Sequence, residues 1–234
     1  MSATCTPWLE PAAKPCLMGV VNITPNSFSD GNRYLEALAA TAQARMLAAQ
    51  GAKVLDLGAE ASSFFRPGVE PVPDQVQLQR LLPVLEALRE TREGGVVLSV
   101  DTRSSVVARA TVQAGAGMIN DISAGSHDPA MLATVAELGV PMVLMHISPG
   151  YPATPARDDP AIVAKVVEAL AERVAAARRA GIAAHHILLD PGIGFGKTMA
   201  ENWQLLAHFT ALAQLGHSVV LGISRKRFLF SPAE

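Results

Sequence analysis

Short apolar runs rich in β-branched residues recur along this chain, and each is followed by a longer stretch of helical pattern. The runs are Leu17–Ile23, Lys53–Gly58, Val96–Val100, Met118–Ile122, Pro141–Met145, Ile187–Leu189 and Val219–Ile223. The helical stretches between them are Leu35–Gln50, Asp74–Thr91, Ser104–Ala114, Pro129–Leu138, Pro160–Ala180 and Ala200–Leu215. In the fifth, Ile162, Val163, Val166, Val167, Leu170 and Val174 fall at the three/four spacing of one helical face. Strands that dispense with polar alternation are buried on both faces, so the pattern predicts a parallel sheet covered by helices.

The composition supplies the core this requires. Of 234 residues 50% are hydrophobic and 17% charged, which excludes a disordered chain. No low-complexity block divides the sequence. It reads as one domain over residues 17–234 behind an N-terminal extension, residues 1–16. The segment 202–224 lacks Asp, Glu, Lys and Arg, a length able to cross a bilayer. Its Gln204, His208, Gln214, Gly216, His217 and Ser218 instead suggest a helix, a turn and a buried strand. A net charge of −2 argues against broad attraction to nucleic acid or to anionic membrane. Two cysteines, Cys5 and Cys16, cannot frame a chain of this length with disulfides, and no basic-then-apolar leader opens it, so the cytoplasm is expected.

The ends of the runs choose between an open sheet and a barrel. Nearly every run ends on polar residues: Asn22, Glu60, Asp101, Asn120 with Asp121, His146, Asp190, and Ser224-Arg225-Lys226. In a TIM-type (β/α)₈ barrel such ends ring a single mouth, where active sites of that fold sit. An open sheet concentrates function at one switch point, and no GxGxxG follows the first run. The expected fold is therefore the barrel, with seven strands recognisable.

Those strand ends hold the candidate chemistry. Asn22 closes the first run, and a carboxamide oxygen there suits a hard cation, although alone it reads better as part of a surface loop. Asp101, Asn120 and Asp190 offer acceptors and donors to a flat heterocycle. Singly each could be a helix cap, whereas three on one rim favour binding. Pro191-Gly-Ile-Gly-Phe-Gly-Lys197 lacks the Walker spacing of a phosphate loop, so its glycines better suit close backbone approach to a ligand. Arg66, Arg225 and Lys226 are the candidate cations for an anionic group. His146 faces a site or is a satisfied structural histidine. No histidine pair has zinc spacing, and no GxSxG or suitably placed cysteine supports covalent hydrolysis.

At these residues the sequence resembles the dihydropteroate synthases, folate-pathway enzymes of the pterin-binding barrel family. The segments are Met18-Gly-Val-Val-Asn-Ile-Thr-Pro-Asn-Ser-Phe-Ser-Asp30, Asp56-Leu-Gly58, Arg66-Pro-Gly68, Ser99-Val-Asp-Thr102, Ile119-Asn-Asp-Ile122, Asp190-Pro-Gly-Ile-Gly-Phe-Gly-Lys197 and Gly222-Ile-Ser-Arg-Lys226. The resemblance implies condensation of 6-hydroxymethyl-7,8-dihydropterin pyrophosphate with p-aminobenzoate, giving 7,8-dihydropteroate and pyrophosphate. It further implies a sulfonamide target. Carried over, Asp101, Asn120 and Asp190 hold the pterin edge, Lys226 contacts its ring, and Asn22 is the Mg²⁺ ligand. Ser62 or Ser63, together with Arg66, comes from the second loop, and Phe195 and Arg225 border the p-aminobenzoate site. Asp101, Lys226 and Arg66 are the expected catalytic residues. The partners implied are these small molecules, with no nucleic acid or membrane, and a possible homodimer.

Three departures from the family pattern stand out. The usual Gly-Gly-Glu-Ser-Thr-Arg-Pro-Gly is here Gly58-Ala-Glu-Ala-Ser-Ser-Phe-Phe-Arg-Pro-Gly68, three residues longer between Glu and Arg. Phe64 and Phe65 are expected either to reshape the p-aminobenzoate pocket or to be a passive length variant. Asn32 replaces a small residue. The eighth strand's Arg-x-His does not occur before Glu234, so an incomplete barrel with edge strands and weak activity is expected of these residues alone. Two alternatives remain. One is a pterin-dependent methyltransferase on the same barrel, and the other a truncated, non-catalytic pterin-binding paralogue.

Overall fold

The computed structural model describes residues 15–23, 33–60, 70–226 and 229. Ser62, Ser63, Phe64, Phe65 and Arg66 lie outside the described residues, as do Cys5 and Asn32. The described residues fall into two compact units, one running through Asn120 and the other from Asp121 onward.

The first unit carries β1 (Met18–Asn22), α1 (Arg33–Ala49), β2 (Val54–Gly58), α2 (Asp74–Ala87), α3 (Arg89–Glu93), β3 (Val97–Asp101), α4 (Ser105–Gln113) and the start of β4 (Met118–Asp121). Each strand pairs in parallel with the next. Every residue of β2 is buried, as a strand covered on both faces must be. Ser104 caps α4, its Oγ accepting from the Val107 N–H at 3.3 Å.

The second unit continues with α5 (Met131–Leu138), β5 (Met142–Met145), α6 (Ile162–Arg179), β6 (Ile187–Asp190), α7 (Met199–Ala207), α8 (Thr210–Ala213) and β7 (Ser218–Val219). β5 pairs with β6 and β6 with β7, again in parallel. Along the sheet the strand order is the order of the sequence, β1 to β7. This is the β/α alternation of a TIM-type fold, with seven strands. The stripe read on α6 is its inner face, with Ile162, Val166 and Leu170 buried.

Three elements differ from the sequence expectation. The stretch Asp74–Thr91 is two helices, separated at Leu88, whose backbone (φ −95°, ψ 9°) leaves helical geometry. Leu88 joins Leu81, Val84 and Leu85 in the core, and the turn directs the polar segment of α3 to solvent with no buried residue. The stretch Ala200–Leu215 also breaks, at His208 (φ −113°, ψ 23°), where His208, Phe209 and Thr210 are consecutive weak helix formers. The seventh strand covers only Ser218–Val219 rather than Val219–Ile223. Its partner β6 ends at Asp190 and turns away through Pro191-Gly192, so the last ladder bond is Val220 N–H to Leu189 O at 2.8 Å. Among the described residues no helix is long and apolar enough to cross a membrane.

Candidate functional site

In the first unit, the strand ends line up. The parallel register places Asn22 beside Gly58, Gly58 beside Asp101, and Asp101 beside Asn120, a polar row across four strands at their C-terminal ends. Aligned residues of a parallel sheet direct their side chains to one face. Gly58 leaves a gap in the row. A Cβ built there would lie 3.4 Å from Asn22 Oδ1 and 3.7 Å from Asp101 Oδ2. A carboxamide and a carboxylate oxygen thus flank one small space, the hard-donor set that Mg²⁺ takes when substrate and water supply its other ligands. No cluster of three or more His, Cys, Asp or Glu side chains suited to a metal occurs among the described residues.

Two residues earlier on β2, Asp56 supports the row. It is 4% exposed inside an otherwise apolar strand, and it pairs in register with Ser99. Its Oδ1 accepts from Ser99 Oγ at 2.6 Å and its Oδ2 from Asn120 Nδ2 at 2.9 Å. Burial pushes the Asp56 carboxyl above the usual carboxylate range, against the pull of those two hydrogen bonds. The bond to Asp56 fixes which way the Asn120 amide faces. Nearby, Glu60 accepts from the Val72 N–H at 2.7 Å and from Arg103 Nη2 at 3.3 Å, a pair with side chains only 11% exposed.

The second unit holds a different construction, the loop between β6 and α7. Asp190 ends β6, and its Oδ1 accepts from the Gly192 N–H at 2.7 Å. Gly192 adopts φ +67°, and a Cβ there would fall 1.8 Å from His146 O, so only glycine fits. Asn202, from α7, accepts the Gly194 N–H at 2.7 Å. Lys226 lies against this loop. Its Nζ donates to Ile193 O and sits 4.8 Å from the centroid of the Phe195 ring, a cation–π contact. The Tyr151 ring packs on Phe195 at 5.4 Å. Asp190 Oδ2 and Lys226 Nζ each stand 3.8 Å from the place of an added Gly222 Cβ, so carboxylate and ammonium approach the same gap. Burial lowers the Lys226 pKa, and Asp190 opposes that shift.

Of the residues expected from sequence, Asn22, Asp101 and Asn120 therefore share one row, and Asp190, Phe195 and Lys226 meet at one loop. Arg225 is exposed, in a turn beyond β7, with φ +56°. Ser62, Ser63 and Arg66 are outside the described residues. His146 follows β5. Its Nδ1 is buried without a hydrogen-bond partner, and burial, aided by the charge of Lys197, lowers its pKa to about 4.

Sequence reasoning gave no role to Asp56, Lys197 or Asn202. A signal existed for the first, because a carboxylate inside Val54-Leu-Asp-Leu57 contradicts its surroundings and must have buried partners. For the others, Thr198-x-x-Glu201 is a capping box that fixes the start of α7 and with it the exit of the loop. Both of its bonds are present, at 3.2 and 2.7 Å.

Residues 18–234 match the family described as Pterin binding enzyme. The dihydropteroate synthase of Bacillus subtilis (strain 168) is 40% identical over 216 residues, 92% of this chain and 72% of that protein. A probable bifunctional folylpolyglutamate synthase/dihydropteroate synthase of Haloferax volcanii is 39% identical over 222 residues. The match takes 94% of this chain and 25% of that longer protein. Among solved structures, dihydropteroate synthase from Xanthomonas albilineans in complex with 7,8-dihydropteroate superposes with a TM-score of 0.77 at 42% identity. That alignment spans 93% of this chain and 74% of the other. With the family matched across almost its whole length, this chain belongs to the pterin-binding enzyme family.

Proposed function

We infer that the protein is a dihydropteroate synthase, a transferase of folate biosynthesis. The amine of p-aminobenzoate attacks the methylene carbon of 6-hydroxymethyl-7,8-dihydropterin pyrophosphate. A carbon–nitrogen bond forms, the carbon–oxygen bond breaks, pyrophosphate leaves with the electron pair, and the amine gives up a proton. The observation that carries this reading is the polar row Asn22–Gly58–Asp101–Asn120, in a chain about 40% identical to named synthases. The Xanthomonas relative was solved with the reaction's product, 7,8-dihydropteroate.

The roles assigned to single residues belong to the same proposal. Asp101, Asn120 and Asp190 take the hydrogen-bonding edge of the pterin, and the two aspartate carboxylates favour positive charge as it develops on that ring. Lys226 contacts the pterin, while Phe195 and Arg225 border p-aminobenzoate, with Ser62, Ser63 and Arg66 contributing from the second loop. Asn22, with Asp101 beside the gap at Gly58, would hold Mg²⁺, which when bound neutralises charge on the leaving pyrophosphate. Sulfonamide sensitivity, a cytoplasmic location and a homodimer complete the reading. Light scattering of the purified protein checks the last.

The test is to incubate the full-length protein with both substrates and Mg²⁺ and to measure dihydropteroate and pyrophosphate together. Equal amounts of the two are expected. Absence of pyrophosphate release together with demethylation of a separately supplied methyltetrahydropterin would favour the methyltransferase alternative, which draws no support from the relatives named above. Pterin binding without turnover would favour the non-catalytic one.

A further inference from the structure

Lys197 has no place in the roles above, yet it is the buried cation of the second unit, 4% exposed. Its ammonium is taken up entirely by backbone. Nζ donates to Gly192 O at 2.8 Å, to His146 O at 3.3 Å and to Phe195 O at 3.3 Å. An ammonium has three N–H donors, so none is left for a ligand. One lysine therefore ties the residue after β5 to two points of the glycine loop after β6.

That loop is what meets Lys226. Ile193, which gives Lys226 its carbonyl, and Phe195, which gives it a ring face, both lie within the segment that Lys197 closes. A second bond joins the same two segments, Ser148 N–H to Phe195 O at 3.3 Å. The donor has to be a lysine for a geometric reason. Three converging carbonyls suit a compact charge with three rotatable donors, whereas arginine's planar fork cannot converge on them. A methionine of similar volume would leave the carbonyls buried without their donor.

We propose that Lys197 is a positioning residue for the synthase reaction: by bonding the carbonyls of His146, Gly192 and Phe195 it sets where Lys226 and Phe195 stand. The inference rests on the synthase reading for its activity readout, and it is also testable without it. Burial, opposed by Asp190 and Glu201 and aided by Lys226, brings the Lys197 pKa down to about 7, so the measurements belong below that pH.

Lys197→Ala removes a fragment the size of n-propylammonium. In the full-length protein kcat/KM is expected to fall about 10- to 100-fold, the usual cost of losing a group that orients others. Added n-propylammonium should restore it, and N-propyltrimethylammonium, which fills space without N–H donors, should not. Lys197→Met keeps the volume, so a cooperative melt with the same loss of activity separates positioning from folding. Independently, 4-fluorophenylalanine at position 195 reports the ring by ¹⁹F NMR. Its resonance should move in Lys197→Ala and return with n-propylammonium. Wild-type activity with an unaffected Lys197→Met variant, or a ¹⁹F signal that does not move, overturns the proposal. Equal rescue by both amines overturns it as well. An inactive wild type defeats the synthase reading instead and leaves the ¹⁹F result to decide.

Discussion

The row on β1–β4 and the loop after β6 both present polar groups, but they hold them by different means. In the row, backbone register does the placing. Asn22, Asp101 and Asn120 are neighbours because parallel ladders fix their strands, and the side chain of Asp56 orients the amide of Asn120. In the loop no ladder exists. Asp190, Lys197 and Asn202 supply hydrogen bonds that the sheet supplies elsewhere, and Gly192 supplies a backbone conformation closed to other residues. Glycine accordingly means different things in the two regions. Gly58 leaves a gap between the Asn22 and Asp101 side chains, and Gly192 leaves room for the backbone of His146.

The largest expected effect exploits that contrast. Gly192→Ala forces a Cβ against His146 O in a left-handed conformation, and about 3 kcal/mol or more of stability should be lost. Gly58→Ala meets its neighbours at ordinary contact distance. It should melt within about 1 kcal/mol of wild type while binding Mg²⁺ more weakly. Denaturant unfolding beside a Mg²⁺ titration reads both, and equal destabilisation of the two variants would erase the distinction.

The regions should also answer pH with opposite sign. His146 has a folded pKa near 4 against an ordinary 6.5, so the unfolded chain binds more protons between those values and stability rises with pH across them. Up to about 3 kcal/mol is involved, and His146→Phe should flatten that slope. Asp56 is raised above 3.8, so the folded state binds more protons and its contribution is lost as pH climbs through the raised value. Asp56→Asn should abolish that second, falling slope. One carboxamide oxygen can still accept from Asn120 while its N–H₂ donates to Ser99 Oγ, so the stability cost should stay near about 1 kcal/mol. Parallel slopes in the two variants would contradict the assignment of each group to its region.

The smallest effect concerns the turn after β4, where Ala124 adopts φ +51° and its carbonyl accepts from Arg173 Nε at 2.8 Å. Ala124→Gly should stabilise by about 1 kcal/mol, the left-handed penalty being relieved. A rise in melting temperature checks it.

The strands were legible because each is a short apolar run, and the fully buried β2 and β5 need no context to be recognised. Asn22, Asp101, Asn120 and Asp190 were legible for a related reason: a polar residue that ends such a run stands at the strand's edge. The breaks at Leu88 and His208 were not, because helical periodicity runs through them and only local dihedral angles reveal the turn. The end of β7 was hidden as well. Val220 to Ile223 are as apolar as a strand requires, but a ladder stops where its partner stops, and β6 turns at Pro191.

Local pattern by itself therefore determined the alternation of strand and helix, the polar strand ends and the family they resemble, since these depend on residues near one another in sequence. Tertiary structure decided which groups stay available and which are spent. Asn120 gives its amide to Asp56, 64 residues earlier, and Lys197, a cation at the end of a glycine-rich motif, gives its whole ammonium to backbone from two segments. Both outcomes have one physical cause. A buried polar group must find a partner, and where the nearest one lies is a property of the folded chain.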